Sequence, residues 1–255
     1  MTNQEWRRCK DPVKMILGLK GVASERKGIL YLCGGCRSIW DLFFDDRSRI
    51  AVEVAERYAD GLATPEALSR ANYEAECPTF GFEFEPNVWR AWEEFRDAVP
   101  EGVWSLVTMG VLSEEQLSED EPEVDLVVRD RLLAAASLAY AASSPPSFDS
   151  DWYHRYILRV DWPGDWLLRC VFGRPFLPAA PFDPEWASPI AVSLAEGIYS
   201  EKAFDRMPIL GDALEEAGCV NDDILKHCRQ EKPHVRGCWV VDLLLGKSEG
   251  LALSL

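Results

Sequence analysis

With 255 residues, 47% of them apolar and 27% charged, the chain has the make-up of a globular protein with a substantial core. Forty-three acidic residues against 27 basic ones leave a formal charge of -16, a surface that repels polyanions, so nucleic acid is disfavoured as a partner. No run approaches the ~20 apolar residues of a membrane span and the N-terminal MTNQEWRRCKDP lacks the apolar stretch of a signal peptide, so a cytoplasmic protein with no membrane partner is expected.

In that compartment the eight cysteines are thiols or metal thiolates rather than disulfides. Ten tryptophans, each able to bury roughly 200 Å², suit a tightly packed helical core. One local exception to the acidic balance is the first 50 residues, with Arg7, Arg8, Lys10, Lys14, Lys20, Arg26, Lys27, Arg37, Arg47 and Arg49. They form either a basic face for nucleic acid or, more simply, the charged sides of helices.

In chain order the punctuation predicts helix after helix. Thr2 with Glu5 makes a capping box, and Asp11-Pro12 supplies a cap followed by proline at the first helical position. Gly21 ends that helix and Ser24 caps the next, SERKGILYLCGGCRSIWDLFF, where Ile29, Leu32, Cys36, Ile39 and Phe43 recur at helical spacing. Gly34-Gly35 inside it predicts a break or a close approach. DRSRIAVEVAERYADG is a helix ending at Gly61, and Thr64-Pro65 opens another.

Over 76–86, Phe80, Phe82 and Phe84 alternate with Gly and Glu, the period of a short strand or extended loop. A helical period returns through Val88, Trp92, Phe95 and Val99; Glu114 to Asp125 is an acidic loop or helix start; and a long Ala/Leu/Val helix stops at Ser143-Ser144-Pro145-Pro146, a hinge between halves. Beyond it, DWYHRYILRV and GDWLLRCVFG read as helices, with His154 on an amphipathic face. A proline-studded connection follows, then compact helices at 190–199, 206–217, 221–229 and 234–245.

The class is therefore all-α, a multi-helix bundle whose N- and C-terminal helices pack together. The lobes are 1–142 and 148–255, or one continuous domain.

ASERKGILYLCGGCRSIWDLFFDDRSRIAVEVAERYADGLAT and FDRMPILGDALEEAGCVNDDILKHCRQEKPHVRGCWVVDLLLGK resemble the two ends of a large paralogous family of hypothetical proteins from planctomycete bacteria. The resemblance covers roughly 1–75 and 165–247. It implies that Cys33, Cys36, Cys219, His227-Cys228 and His234 to Cys238 belong together. The family's Cys-x-Cys-Cys is Cys33-Gly34-Gly35-Cys36 here, which argues against a role needing three thiols. No activity comes with the resemblance.

Cys33-x-x-Cys36 has the spacing of a zinc half-site, and His234-x-x-x-Cys238 places an imidazole and a thiol one helical turn apart. Together they make a candidate Cys₃His site for Zn2+, a closed structural site stapling the N-terminal helices to the C-terminal one, with His227, Cys228 and Cys219 in reserve. The competing reading is thiol packing. Free cysteine behaves as a small hydrophobe, Cys36 fits an apolar stripe, and the half-sites lie nearly 200 residues apart.

A Cys-His-Asp set of Cys238, His234 or His227, and Asp242 would instead make a cysteine-dependent enzyme, although so apolar a segment should leave the thiol inert. No phosphate loop, nucleophile elbow or HExxH is present. Arg37 and Arg236, beside the cysteines, either lower thiolate pKa values or pair with nearby aspartates. The expectation is a non-enzymatic interaction or regulatory protein with a protein partner, with or without a structural zinc.

Overall fold

The computed structural model describes residues 1–43, 45–80, 139–142, 164–176 and 182–247. Among them there is no strand; a helical stretch lies at 139–142, and ten α-helices have defined bounds, the all-α class expected. These are α1 (Asn3–Arg8), α2 (Pro12–Gly18), α3 (Glu25–Ser38), α4 (Asp46–Ala59), α5 (Pro65–Phe80), α6 (Asp165–Phe172), α7 (Pro189–Glu201), α8 (Met207–Glu216), α9 (Asp222–Cys228) and α10 (Trp239–Leu244). Three short 3₁₀ segments join them, Trp40–Leu42, Pro184–Trp186 and Phe204–Arg206.

The helix starts are where the local chemistry puts them. Thr2 and Glu5 close a reciprocal capping box, and Asp11 accepts from the N–H groups of Val13 and Lys14 with Pro12 next to it. Ser24 accepts from Lys27 N, Thr64 from Ala67 N, Ser188 from Ala191 N, and Asn221 from Asp223 and Ile224 N. Each cap satisfies amides that the first turn leaves without an intrahelical partner.

Three readings change. α3 ends at Ser38 and the chain passes into the 3₁₀ segment Trp40–Leu42, rather than running on as one helix through Ile39 and Phe43. Residues 76–80 continue α5 as helix rather than opening a strand, since a two-residue alternation that begins only at Phe80 cannot outweigh a helix already capped at Thr64. Residues 81–86 lie outside the described residues, as do the 88–99 helix, the acidic run 114–125, the hinge at 143–146 and His154. The last helix begins at Trp239 instead of residue 234, and the residues before it form a turn.

The chain divides into two compact units, Met1–Gly34 with Pro163–Leu255, and Gly35–Trp162. In the first, the two chain ends pack together. Trp6, only 1% exposed, donates its indole N–H to Gly173 O at 2.9 Å and meets Phe176 edge-on. Arg169 of α6 reaches back to the carbonyls of Trp6, Arg7 and Cys9. The core of this unit includes Met15, Ile16, Leu19, Leu30, Leu167, Leu168, Leu210, Leu214, Ile224 and Val241.

In the second unit α4 packs on α5 through Ala51, Ala71 and Ala75, small residues that let the helices approach closely. Asn72 donates to Tyr140 O at 2.8 Å. Arg37 makes a two-pronged pair with the buried Glu56 and lies 3.9 Å over the Trp40 ring.

Candidate metal centre

Cys170, His227, His234 and Cys238 converge in the first unit. All four side chains are buried, and their candidate ligand atoms lie within 4.8 Å of one another. His227 Nε2 is 3.2 Å from Cys238 Sγ. His234 Nδ1 is 3.7 Å from Cys238 Sγ and 3.8 Å from Cys170 Sγ. Around a tetrahedral zinc with bonds of about 2.3 Å to sulfur and 2.0–2.1 Å to nitrogen, a sulfur and a nitrogen stand about 3.6 Å apart. The three cysteine-histidine separations scatter around that value.

Each donor is delivered by a different local device. Cys170 sits inside α6, a strongly amphipathic helix that buries Leu167, Leu168, Cys170 and Val171. His227 lies in the last turn of α9, whose start is set by the Asn221 cap. His234 and Cys238 flank a turn in which Cys238 N donates to Val235 O at 2.9 Å. Gly237 occupies the third position of that turn with φ +87°, the left-handed conformation a type II turn requires there. Cys238 is then the N-cap of α10, with non-helical backbone at φ -50°, ψ 126°.

The i,i+4 spacing of His234 and Cys238 predicts one helical turn. A β-turn brings the same two side chains together instead, because Gly237 reverses the chain where a helix would have carried it on.

The rings are fixed by packing. His227 and His234 meet edge to face at 4.8 Å between centroids, and His227 also lies 5.4 Å from the Trp239 ring. His234 Nε2 is buried and has no hydrogen-bond partner, so the polar interactions of that imidazole all run through Nδ1 toward the two sulfurs.

The sulfurs differ in proton affinity. For Cys238 burial acts to raise the pKa, but the hydrogen bond from Cys170, the charge and hydrogen bond of His227 and the hydrogen bond of His234 bring it well below the ordinary thiol range. Cys170 is pushed well up, by burial first and then by the hydrogen bond and charge of Cys238; a backbone hydrogen bond from Val235 and the charge of Lys27 act the other way.

Of the expected quartet, His234 and Cys238 take part, with His227 from the reserve; Cys33 and Cys36 do not. Helix geometry gives the reason. α3 meets the 235–238 turn through Gly34, where an added Cβ would stand 3.0 Å from Val235 Cγ2, and through Leu30, which is packed on Gly237. At about 100° per residue Cys33 is turned about 100° from Gly34, and Cys36 still farther.

Both thiols are buried, and burial pushes the Cys36 thiol far up, the state of a cysteine used as a small hydrophobe. Gly34 makes the close approach, and the helix runs unbroken through Gly34-Gly35. Cys228 is also buried with its thiol pushed up, first by burial, and Cys219 is buried; neither belongs to the group of four.

Cys170 is the donor the sequence reading missed. Its one mark in the sequence is a lone cysteine on the apolar face of a short helix, 57 and 64 residues before the two histidines.

Asp242 is not an orienter for histidine. Both its carboxylate oxygens accept from Arg26, and Oδ2 also pairs with Lys27 Nζ at 2.6 Å. Arg37 pairs with Glu56 rather than an aspartate, and Arg236 lies 4.4 Å over the Tyr199 ring.

The basic N-terminal residues are largely engaged within the chain, Arg7 with Asp223, Lys10 with Asp165, Arg47 with Asp45 and Arg49 with Asp46, which is the charged-helix-face reading. No described helix is long and apolar enough to cross a membrane. Neither a protein-family model, a curated protein nor a solved structure matches this chain, so the chemistry of its four buried donors is what speaks to its function.

Proposed function

We propose that Cys170, His227, His234 and Cys238 hold one structural Zn2+, and that the chain is a non-enzymatic protein acting through its surface on a protein partner in the cytoplasm. The observation that carries this reading is the convergence of four buried Cys and His donors from three separate segments within 4.8 Å. Two thiolates and two neutral imidazoles are the donor set of closed zinc sites, and full burial leaves no open position for a substrate.

A two-iron cluster with two Cys and two His ligands would stand between the cysteine pair and the histidine pair and hold them apart. Cysteine-histidine separations of 3.2 to 3.8 Å favour a single ion. The free thiols of the described cysteines suit a reducing compartment. Kinship with the planctomycete family is part of the same proposal and adds no activity to it.

Metal analysis of protein purified without chelator tests the site: about one zinc per chain is expected, and Cys170→Ser or Cys238→Ser should lose it. Metal-free protein whose melting temperature is indifferent to added zinc would overturn the assignment.

A second reading has one specific observation in its favour, the short His227–Cys238 contact together with the lowered Cys238 pKa, which resembles an activated cysteine nucleophile. Against it, Cys238 is 0% exposed, and the Asp242 carboxylate faces Arg26 and Lys27. Rapid labelling of Cys238 by iodoacetamide in the native, zinc-free protein would favour the enzyme.

A further inference from the structure

Behind the two cysteine-bearing segments lies a buried ionic group that belongs to neither. Lys27, on α3, is 13% exposed, and its ammonium has three acceptors around it. Nζ donates to Val171 O at 3.0 Å, the carbonyl that follows Cys170 in the chain. It donates to Gly237 O at 2.7 Å, the carbonyl that precedes Cys238. It pairs with Asp242 Oδ2 at 2.6 Å. An ammonium has three protons, so Lys27 is saturated.

Asp242, 0% exposed, is anchored in turn by Arg26, whose Nη2 also donates to Tyr199 OH at 3.0 Å. The N–H of Asp242 closes the first turn of α10 on Cys238 O at 2.9 Å.

We infer that Lys27 is an outer-shell positioning residue of the metal centre, clamping the Val171 and Gly237 carbonyls and so setting the distance between the Cys170 and Cys238 sulfurs. This rests on the metal reading above. Geometry and charge both support it. α6 and the 235–238 turn are far apart in sequence, and a single cation tied to a carbonyl beside each cysteine holds the two sulfurs in register. Two thiolates also bring two negative charges into a buried site, and Arg26, Lys27 and Asp242 together carry one net positive charge beside them.

Outer-shell groups of this kind orient ligands before the ion arrives, and their loss typically weakens metal affinity 10- to 100-fold. The placement also connects metal binding to α3, through a lysine and not through the cysteines that α3 carries.

Co2+ is the probe, because its visible spectrum reports ligand type and tetrahedral geometry. Full-length metal-free protein is titrated with Co2+ alone, and Zn2+ affinity is measured by competition with a chromophoric chelator. The wild type should bind one Co2+ with thiolate charge-transfer and tetrahedral d–d bands. Lys27→Met should bind 10- to 100-fold more weakly, with altered d–d bands, while its metal-free far-ultraviolet circular dichroism matches the wild type.

Should Lys27→Met not fold, Lys27→Gln, which keeps two donors, takes its place. A folded variant of either kind with wild-type affinity and spectrum overturns the inference while the metal site stands. Failure of both variants to fold even in saturating zinc also overturns it, since Lys27 would then serve folding alone. A wild type that binds neither ion overturns the metal reading itself.

Discussion

At the scale of single residues, one glycine sets the turn that places His234 and Cys238. Gly237 sits at φ +87°, and a Cβ there would stand 2.9 Å from Leu30 Cβ. Gly237→Ala therefore combines left-handed strain with overpacking, together about 2 to 4 kcal/mol, and moves the carbonyl that Lys27 holds. Urea denaturation in excess zinc should show that loss, and zinc affinity should fall with it. Gly34→Ala is a finer test. Helix propensity favours alanine by about 1 kcal/mol, but the new methyl would meet Val235 and Leu167 within 3.2 Å in a buried contact. Overpacking should win, and the melting temperature should drop. Neither role is legible from the residue alone. Gly34-Gly35 announces a close approach, but which face of α3 is approached, and by what, is a tertiary matter.

At the scale of elements, α6 is the piece that carries one of the four candidate donors, Cys170, and ties the chain ends together. Arg169 donates to the carbonyls of Trp6 and Cys9 at 3.0 and 2.7 Å, and to Asp165 one turn back. Arg169→Ala should cost about 2 kcal/mol, the scale of charge-assisted hydrogen bonds, read as a lower midpoint in urea. The Asp165 carboxyl is half the story. Burial acts to raise its pKa, but hydrogen bonds and charge from Lys10 and Arg169 outweigh that and hold it below the ordinary carboxylate value.

A carboxyl depressed by folding contributes stability that is present above its unfolded pKa of about 3.9 and is lost as pH falls through the lower folded value. Asp165→Asn should therefore melt below the wild type at neutral pH, with the gap narrowing below about pH 4. The helix itself was legible in GDWLLRCVFG from its apolar period. Its docking on α1 was not, because an arginine reaching backbone carbonyls more than 150 residues away leaves no pattern in the sequence.

At the scale of the molecule, an ion bound as proposed by donors from α6, α9 and the 235–238 turn would join segments that the unfolded chain holds apart. Such binding is folding free energy. Zinc at 100 times its dissociation constant should stabilise the protein by about 2.7 kcal/mol, measurable as a chelator-reversible rise in melting temperature. Trp239, packed against His227, should report loss of the ion through its fluorescence.

The sequence by itself determined the helical class, nearly every helix start among the described residues, and the meeting of the chain ends. These follow from side chains acting on their own backbone within a turn or two, and from apolar periods that must be covered. It also singled out His234, Cys238 and His227. What only the tertiary structure decided was the partner of those three residues. Cys33 and Cys36 have the better spacing, yet they lie off the face of α3 that meets the 235–238 turn. Cys170, with no spacing to recommend it, is carried to the site by the burial of α6. Ligand spacing is a one-dimensional property, whereas coordination depends on which helix face looks inward, and that is settled only when the helices pack.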